Sequence, residues 1–173
     1  MPAMAAVAST TAGQQGPAAA GRVVVGIDDS PAGLAALRWA IGFARSRGSQ
    51  LVAVRAWALG LPRHGGLRRY SSRTPVVIAF HGAGPEHAAM RLTKRALREA
   101  APDALRDVDL MIETPEGNPG PVLTQIASGS DDVLVVGTTP GPSLRRAVHG
   151  SVSAYCTAHA HCPVTVVTPQ PGR

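Results

Sequence analysis

Residues 131–168 read DDVLVVGTTPGPSLRRAVHGSVSAYCTAHAHCPVTVVT, and this stretch decides the fold. It opens on the apolar run Val133 to Val136, bounded by acids before it and by Gly137 after it. A short β-branched run cut off by glycine predicts a buried strand of a parallel sheet. A loop of Gly, Pro, Ser and Thr follows, with Gly137, Gly141, Gly150 and Ser151 as its fixed points. A helix is predicted from near Ser151, and PVTVVT, opening at Pro163 and closing at Thr168, supplies one more strand. Strand, glycine loop, helix start and strand form the layout of a phosphate-binding α/β unit. Glycine lets the backbone approach an anion, while the helix start offers unpaired N–H groups and a partial positive charge.

The same alternation extends outward to the amino-terminal half. RVVVGID (residues 22–28) is a continuous apolar strand ending in an acid, and Asp29-Ser30-Pro31 combines a helix cap with proline at the first helical position. Leu34, Leu37, Ala40, Ile41 and Ala44 recur at helical spacing, and the helix they define ends near Gly48. LVAVRAW (51–57) is the second strand, so a βαβ unit with parallel strands is predicted over residues 22–57. Residues 59–84 are rich in Gly, Pro and Arg and read as a long basic loop with one short apolar run, 76–80. Helical spacing returns over 86–101, with Ala88, Ala89, Leu92, Ala96, Leu97 and Ala100 predicted inward. DLMIE (109–113) is a weaker strand, EGNPGP (116–121) a turn, and Val122, Leu123, Ile126 and Ala127 mark a short helix. Such alternation predicts an α/β domain: an open, mostly parallel five-stranded sheet with helices on both faces. Ligands of such sheets sit beyond the carboxyl ends of the strands, where the strand order reverses. Asp28, the segment around Ala56, and Gly137 all fall at predicted carboxyl ends.

Composition narrows the function classes. At 173 residues the chain suits one well-buried domain, placed at 22–169 between a flexible tail (1–21) and a short one (170–173). Aromatic content of 3% argues against the stacking platforms that bind single-stranded nucleic acid. The formal charge of +6 draws on Arg63, Arg68, Arg69 and Arg73 in the central loop and on Arg91, Lys94, Arg95 and Arg98 on one helix. A basic loop beside a solvated helical face is the expected reading; a patch that attracts nucleic acid or acidic lipid is the alternative, which no helix-turn-helix or zinc-finger pattern supports. Residues 1–21 lack the charged start and apolar centre of a signal peptide, and no apolar run approaches a membrane span. The expected setting is cytoplasmic.

Cys156, His159, His161 and Cys162 lie within seven residues but without zinc-finger spacing, so no metal site is assigned. Asp28 and Asp29, adjacent on a strand end, are expected to point in different directions rather than form a carboxylate pair. His149 reads as a solvated loop residue, and Trp39 and Trp57 as core. No nucleophile and base stand at a recognisable spacing, so no catalytic residue is assigned. Gly137 and Gly150, thirteen apart with Ser151 following, fit neither a Walker A loop nor a dinucleotide GxGxxG pattern.

They do resemble something else. GTTPGPSLRRAVHGSVSAYCTAHAHCPVTVV is similar to the carboxyl-terminal signature of the universal stress protein family, whose ATP-binding members carry Gly-x2-Gly-x9-Gly-Ser/Thr. VVVGIDDSPAGLAALRWAIGFARSRGSQLVAVRAW resembles the family's first strand, helix and second strand, and EGNPGPVLTQIASGSDDVLVVG the segment leading into its loop. The resemblance runs from Arg22 to Thr168 except for the 59–84 loop. It implies a Rossmann-like fold of the adenine nucleotide alpha hydrolase type and ATP, with Mg, as a regulatory ligand. By position, Asp28 would sit beside the nucleoside and Ala56 would lend backbone contacts to adenine. Val136 and Gly137 would line the ribose and phosphate entry, and Gly150, Ser151 and Val152 would bind phosphates. The resemblance also implies a homodimer through the strand at residues 163–168, and at most slow ATP hydrolysis without a dedicated base.

One departure stands out. The family's second glycine falls on Pro140, with Gly141 one place later. Proline has no N–H and fixes φ near −65°, so it neither donates to phosphate nor takes a left-handed turn. Thr138 and Thr139 also replace the basic or histidine side chains common in this loop, and Gly141, Arg145 and Arg146 are the residues that would compensate. Two alternatives therefore stand beside nucleotide binding: a nucleotide-free module that binds protein partners, and an adenine-nucleotide enzyme related in fold.

Overall fold

The computed structural model describes residues 21–58, 84–139 and 152–169. Five strands, β1 (Val23–Gly26), β2 (Leu51–Val54), β3 (Leu110–Glu113), β4 (Val133–Gly137) and β5 (Val164–Val167), form one sheet in the order β3-β2-β1-β4-β5. Every pairing is parallel, from Val23 opposite Leu51 to Gly137 opposite Val167. Helices α1 (Pro31–Arg47) and α2 (Pro85–Ala100) cover one face, while α3 (Pro119–Ile126) and α4 (Val152–His159) lie on the other.

The strands are continuously apolar because both faces are buried. Val23, Val25, Leu51, Ala53 and Val135 point into the α1/α2 layer with Ala36, Leu37, Ala40 and Ile41. Val24, Val52, Val54, Leu134 and Val136 point the other way, against Leu123, Ala127, Cys156 and Cys162. Both cysteines are free and buried. Burial, with Cys162 nearby as a lesser cause, pushes the Cys156 thiol up to about 11. That is packing sulfur rather than a nucleophile.

α1 begins and ends where local chemistry dictates. The Ser30 hydroxyl accepts the Gly33 N–H at 3.0 Å, Pro31 follows the cap, and Gly48 closes the helix in the left-handed region at φ 62°. Elsewhere the boundaries shift. α3 starts at Pro119, inside the segment read as a turn, because proline at the first helical turn gives up no hydrogen bond. A 3-10 turn, Ala104–Asp107, precedes β3 and was not foreseen. Trp57 is buried as expected, with its indole N–H on the Thr114 carbonyl at 2.7 Å. Trp39 is not core. It stands 38% exposed outside the buried stripe of α1, stacked on Phe43 at 4.8 Å, with Arg47 over the Phe43 ring. The apolar run 76–80 and the rest of the basic loop up to residue 83 lie outside the described residues. Among the described residues no helix is long and apolar enough to cross a membrane.

At the amino ends of β1 and β4, Asp132 ties the two strands together. Its carboxylate accepts from the Arg22 side chain at 2.7 and 3.2 Å, from the Arg22 backbone N–H at 3.0 Å and from the Gly129 N–H at 3.0 Å. Burial pushes the Asp132 carboxyl up, but the hydrogen bonds from Arg22 and Gly129 outweigh it and leave the group below its ordinary value. A carboxyl lowered in the folded state adds stability above its unfolded pKa, and that stability is lost as pH falls through the folded value. Urea unfolding should therefore show an acid-side loss below about pH 4 that Asp132→Asn flattens. At pH 7 the substitution should cost about 1.5–3 kcal/mol, the worth of hydrogen bonds to a charged group.

Candidate functional site

β1 leads to β2 and β3 on one side, and β4 leads to β5 on the other, so the strand order reverses between β1 and β4. A cleft lies at this reversal, beyond the carboxyl ends of the two strands. Asp28 and Ser30 enter it after β1, and Gly137, the last residue of β4, enters it with Thr138 and Thr139. Ala32 supplies the first turn of α1, and Val152 and Ser153 the first turn of α4. Two helix N-termini thus converge on one crevice, each with a partial positive charge.

The close approach of these parts depends on two glycines. A Cβ on Gly137 would overlap the Ala32 carbonyl and come within 2.8 Å of the Gly33 nitrogen. A Cβ on Gly33 would collide with the Asp28 carboxylate and lie 2.9 Å from the Asp28 carbonyl oxygen. Their absence of side chain lets the start of α1 rest directly on the ends of β1 and β4.

The acidic turn is held from both sides. Asp28 Oδ1 accepts the Ser30 N–H at 3.1 Å and the Ser30 hydroxyl at 2.5 Å, and that hydroxyl caps α1 on Gly33. Asp29 turns away, as alternation at a strand end requires, and takes both terminal nitrogens of Arg55 at 2.9 and 3.2 Å. Asp28 therefore presents a carboxylate to the cleft, fit to accept from hydroxyl or amino groups, while the helix starts and glycine backbone suit an anion.

Of the residues singled out in the sequence, the structure brings Asp28, Gly137 and Val152 together in this cleft. Val136 does not line it: the side chain is 2% exposed and packs in the α3/α4 layer, one residue before Gly137. Ala56 lies past the end of β2, between Arg55, whose N–H donates to Glu113, and Trp57, which bridges to Glu116. It does not line the cleft among the described residues. Gly141, Gly150 and Ser151, and with them Pro140, lie outside the described residues. Sequence reasoning passed over Gly33 and Arg55. The signals were present: an Asp-x-Ser-x-x-Gly spacing over residues 28–33, and one arginine inside the otherwise apolar LVAVRAW. Among the described residues no group of three His, Cys, Asp or Glu side chains could hold a metal ion.

A parallel five-stranded α/β domain with a helix-lined cleft at its topological switch point belongs to the class of doubly wound ligand-binding folds. Residues 20–168 match the model of the Universal stress protein family, and the chain belongs to that family. It is 30% identical over 158 residues to the universal stress protein Rv2623 of Mycobacterium tuberculosis. That match takes in 84% of this chain and 46% of the relative, so the chain spans about half the length of the curated relatives it matches. A universal stress protein solved in complex with cAMP superposes with a TM-score of 0.55 at 19% identity, over 88% of this chain and all of the other. One from Archaeoglobus fulgidus in complex with dAMP gives 0.50 at 20% identity, over 87% of this chain and 99% of the other. At such identities the likeness speaks for the fold.

Proposed function

We propose that this protein is a stress-response regulator that binds ATP or a related adenine nucleotide in the cleft between β1 and β4. The observation that carries the reading is the convergence of Asp28 with the first turns of α1 and α4 on one crevice. A nucleotide needs both kinds of group. The Asp28 carboxylate would accept from the nucleoside, while helix-start N–H groups and glycine backbone would take the phosphates, with Mg accompanying ATP. Ala56 and the sequence positions Gly141, Gly150 and Ser151 complete the proposed set. The adenine nucleotides bound by the two structural neighbours support the ligand class. The setting proposed is cytoplasmic, and the role regulatory rather than catalytic.

The test is the nucleotide content of the purified protein, released by denaturation and resolved by ion exchange, followed by calorimetry with Mg-ATP. Co-purified or titratable nucleotide is the expected result. No nucleotide and no binding heat at millimolar ATP would favour the second reading, a nucleotide-free module that binds protein partners. Pro140, which offers no N–H where the family pattern has glycine, is the feature in its favour.

We also infer a homodimer through β5. Among the described residues this strand closes one side of the sheet, pairing only with β4, and Val166 on it is 41% exposed. An open strand edge is a template for another strand. Proline at positions 164 and 166 should yield monomers in size-exclusion chromatography with light scattering. A dimer that survives both prolines would remove β5 from the interface.

A further inference from the structure

The guanidinium of Arg55 is a buried charge that ligand binding in the cleft does not call on. Arg55 is 1% exposed and sits just past β2 on the face covered by α2. Each of its side-chain nitrogens has a protein partner. Nη1 and Nη2 donate to the two oxygens of Asp29 at 3.2 and 2.9 Å, and Nε donates to the Thr93 hydroxyl at 3.3 Å. Thr93 is itself fully buried, its hydroxyl donating to the Ala89 carbonyl of α2 at 2.9 Å. With all three nitrogens engaged inside the protein, Arg55 acts through Asp29 and not on a ligand.

We propose that the Arg55–Asp29 pair is the positioning device of the ligand turn, clamping residues 28–30 between α1 and α2. Three consecutive residues are pinned in opposite directions. Asp28 and Ser30 are bonded to each other and to the start of α1, and Asp29 is bonded to Arg55 and through it to Thr93 of α2. A desolvated guanidinium without its counter-ion is strongly unfavourable, so Asp29 is held where it is. A turn so held presents Asp28 in one orientation, which spares a ligand the cost of ordering it. The functional consequence rests on the adenine-nucleotide reading above; the ordering of the turn does not.

The experiment uses the full chain with Asp29→Asn and Arg55→Met together. Both charges then go at similar volume, a change that often leaves stability intact. Hydrogen exchange at the Ser30 and Gly33 amides is read against Val24 and Val135 in the sheet, and Mg-ATP affinity by calorimetry. Expected are an unchanged melting temperature and unchanged sheet amides, with protection at Ser30 and Gly33 and ATP affinity each lowered about tenfold. Unchanged protection at Ser30 and Gly33 overturns the proposal, whether or not ATP binds. Lowered protection with unaltered ATP affinity overturns its functional half. Lowered protection in a chain whose wild type binds no ATP upholds the clamp and rejects the nucleotide reading instead. Should the double variant not fold, Arg55→Lys keeps the charge but removes the two-pronged geometry, and the same readouts apply.

Discussion

Gly137→Val is expected to destabilise the domain and to weaken strongly the nucleotide binding proposed above. The reason is steric and local. Gly137 ends β4 where the backbone of the first α1 turn crosses it, and any Cβ there overlaps the Ala32 carbonyl. Backbone, unlike a side-chain tip, has no other rotamer to escape into. The start of α1 must therefore move away from β4, carrying Ser30 and Gly33 with it and opening the crevice that Asp28 shares. Overpacking of this kind costs about 1–3 kcal/mol or more when the obstacle is main chain. Calorimetry with Mg-ATP should show at least about a hundredfold weaker binding, the factor that corresponds to roughly 2.7 kcal/mol. Urea unfolding should show the midpoint lowered. Gly42, on the outer side of α1, has nothing within 4 Å of an added Cβ and serves as the control: Gly42→Ala should leave both quantities unchanged or slightly improve stability.

The second large effect is an asymmetry within one ion pair. Asp29→Ala should cost about 3–5 kcal/mol, while Arg55→Met should cost much less, because only one partner is buried. The Arg55 side chain is 2% exposed and the Asp29 side chain 56% exposed. Removing the aspartate strands a positive charge among Thr93, β2 and α2, whereas removing the arginine leaves a carboxylate already in contact with water. Denaturant melts of the two single variants decide the matter. Equal losses would mean that water reaches the guanidinium and that the clamp is weaker than its geometry indicates.

The parts legible in the sequence were those governed by local rules. The RVVVGID and DDVLVVG runs gave β1 and β4 because strands buried on both faces leave no polar alternation to misread. The Ser30-Pro31 start and Gly48 end of α1 followed from capping chemistry, and the βαβ spacing made the sheet parallel. Asp28 and Gly137 could be placed at the crevice because the switch point is a property of topology, while Val152 came from the family resemblance. What was not legible depends on contacts distant in sequence. Thr93 looks like one polar residue on an alanine-rich helix until Arg55, 38 positions earlier, is seen against it. Trp39 reads as core from composition alone, yet it falls outside the 36, 37, 40, 41, 44 stripe and stacks on Phe43 at the surface. The Asp-x-Ser-x-x-Gly spacing marks Gly33 in the sequence, but the reason for the glycine appears only when Asp28 is found lying against its α-carbon. The start of α3 was obscured because Pro119, Gly120 and Pro121 are turn residues by type while their positions make them a first helical turn.

The proposed adenine-nucleotide site between β1 and β4 is tested most directly by amide chemical-shift mapping on titration of the isotope-labelled protein with Mg-ATP. The predicted result is saturable shifts at Asp28, Ser30, Gly33, Gly137, Thr138 and Val152, with the strand interiors at Val24 and Val52 unmoved. Shifts confined to another surface, or none at millimolar ATP, would contradict a nucleotide site between β1 and β4.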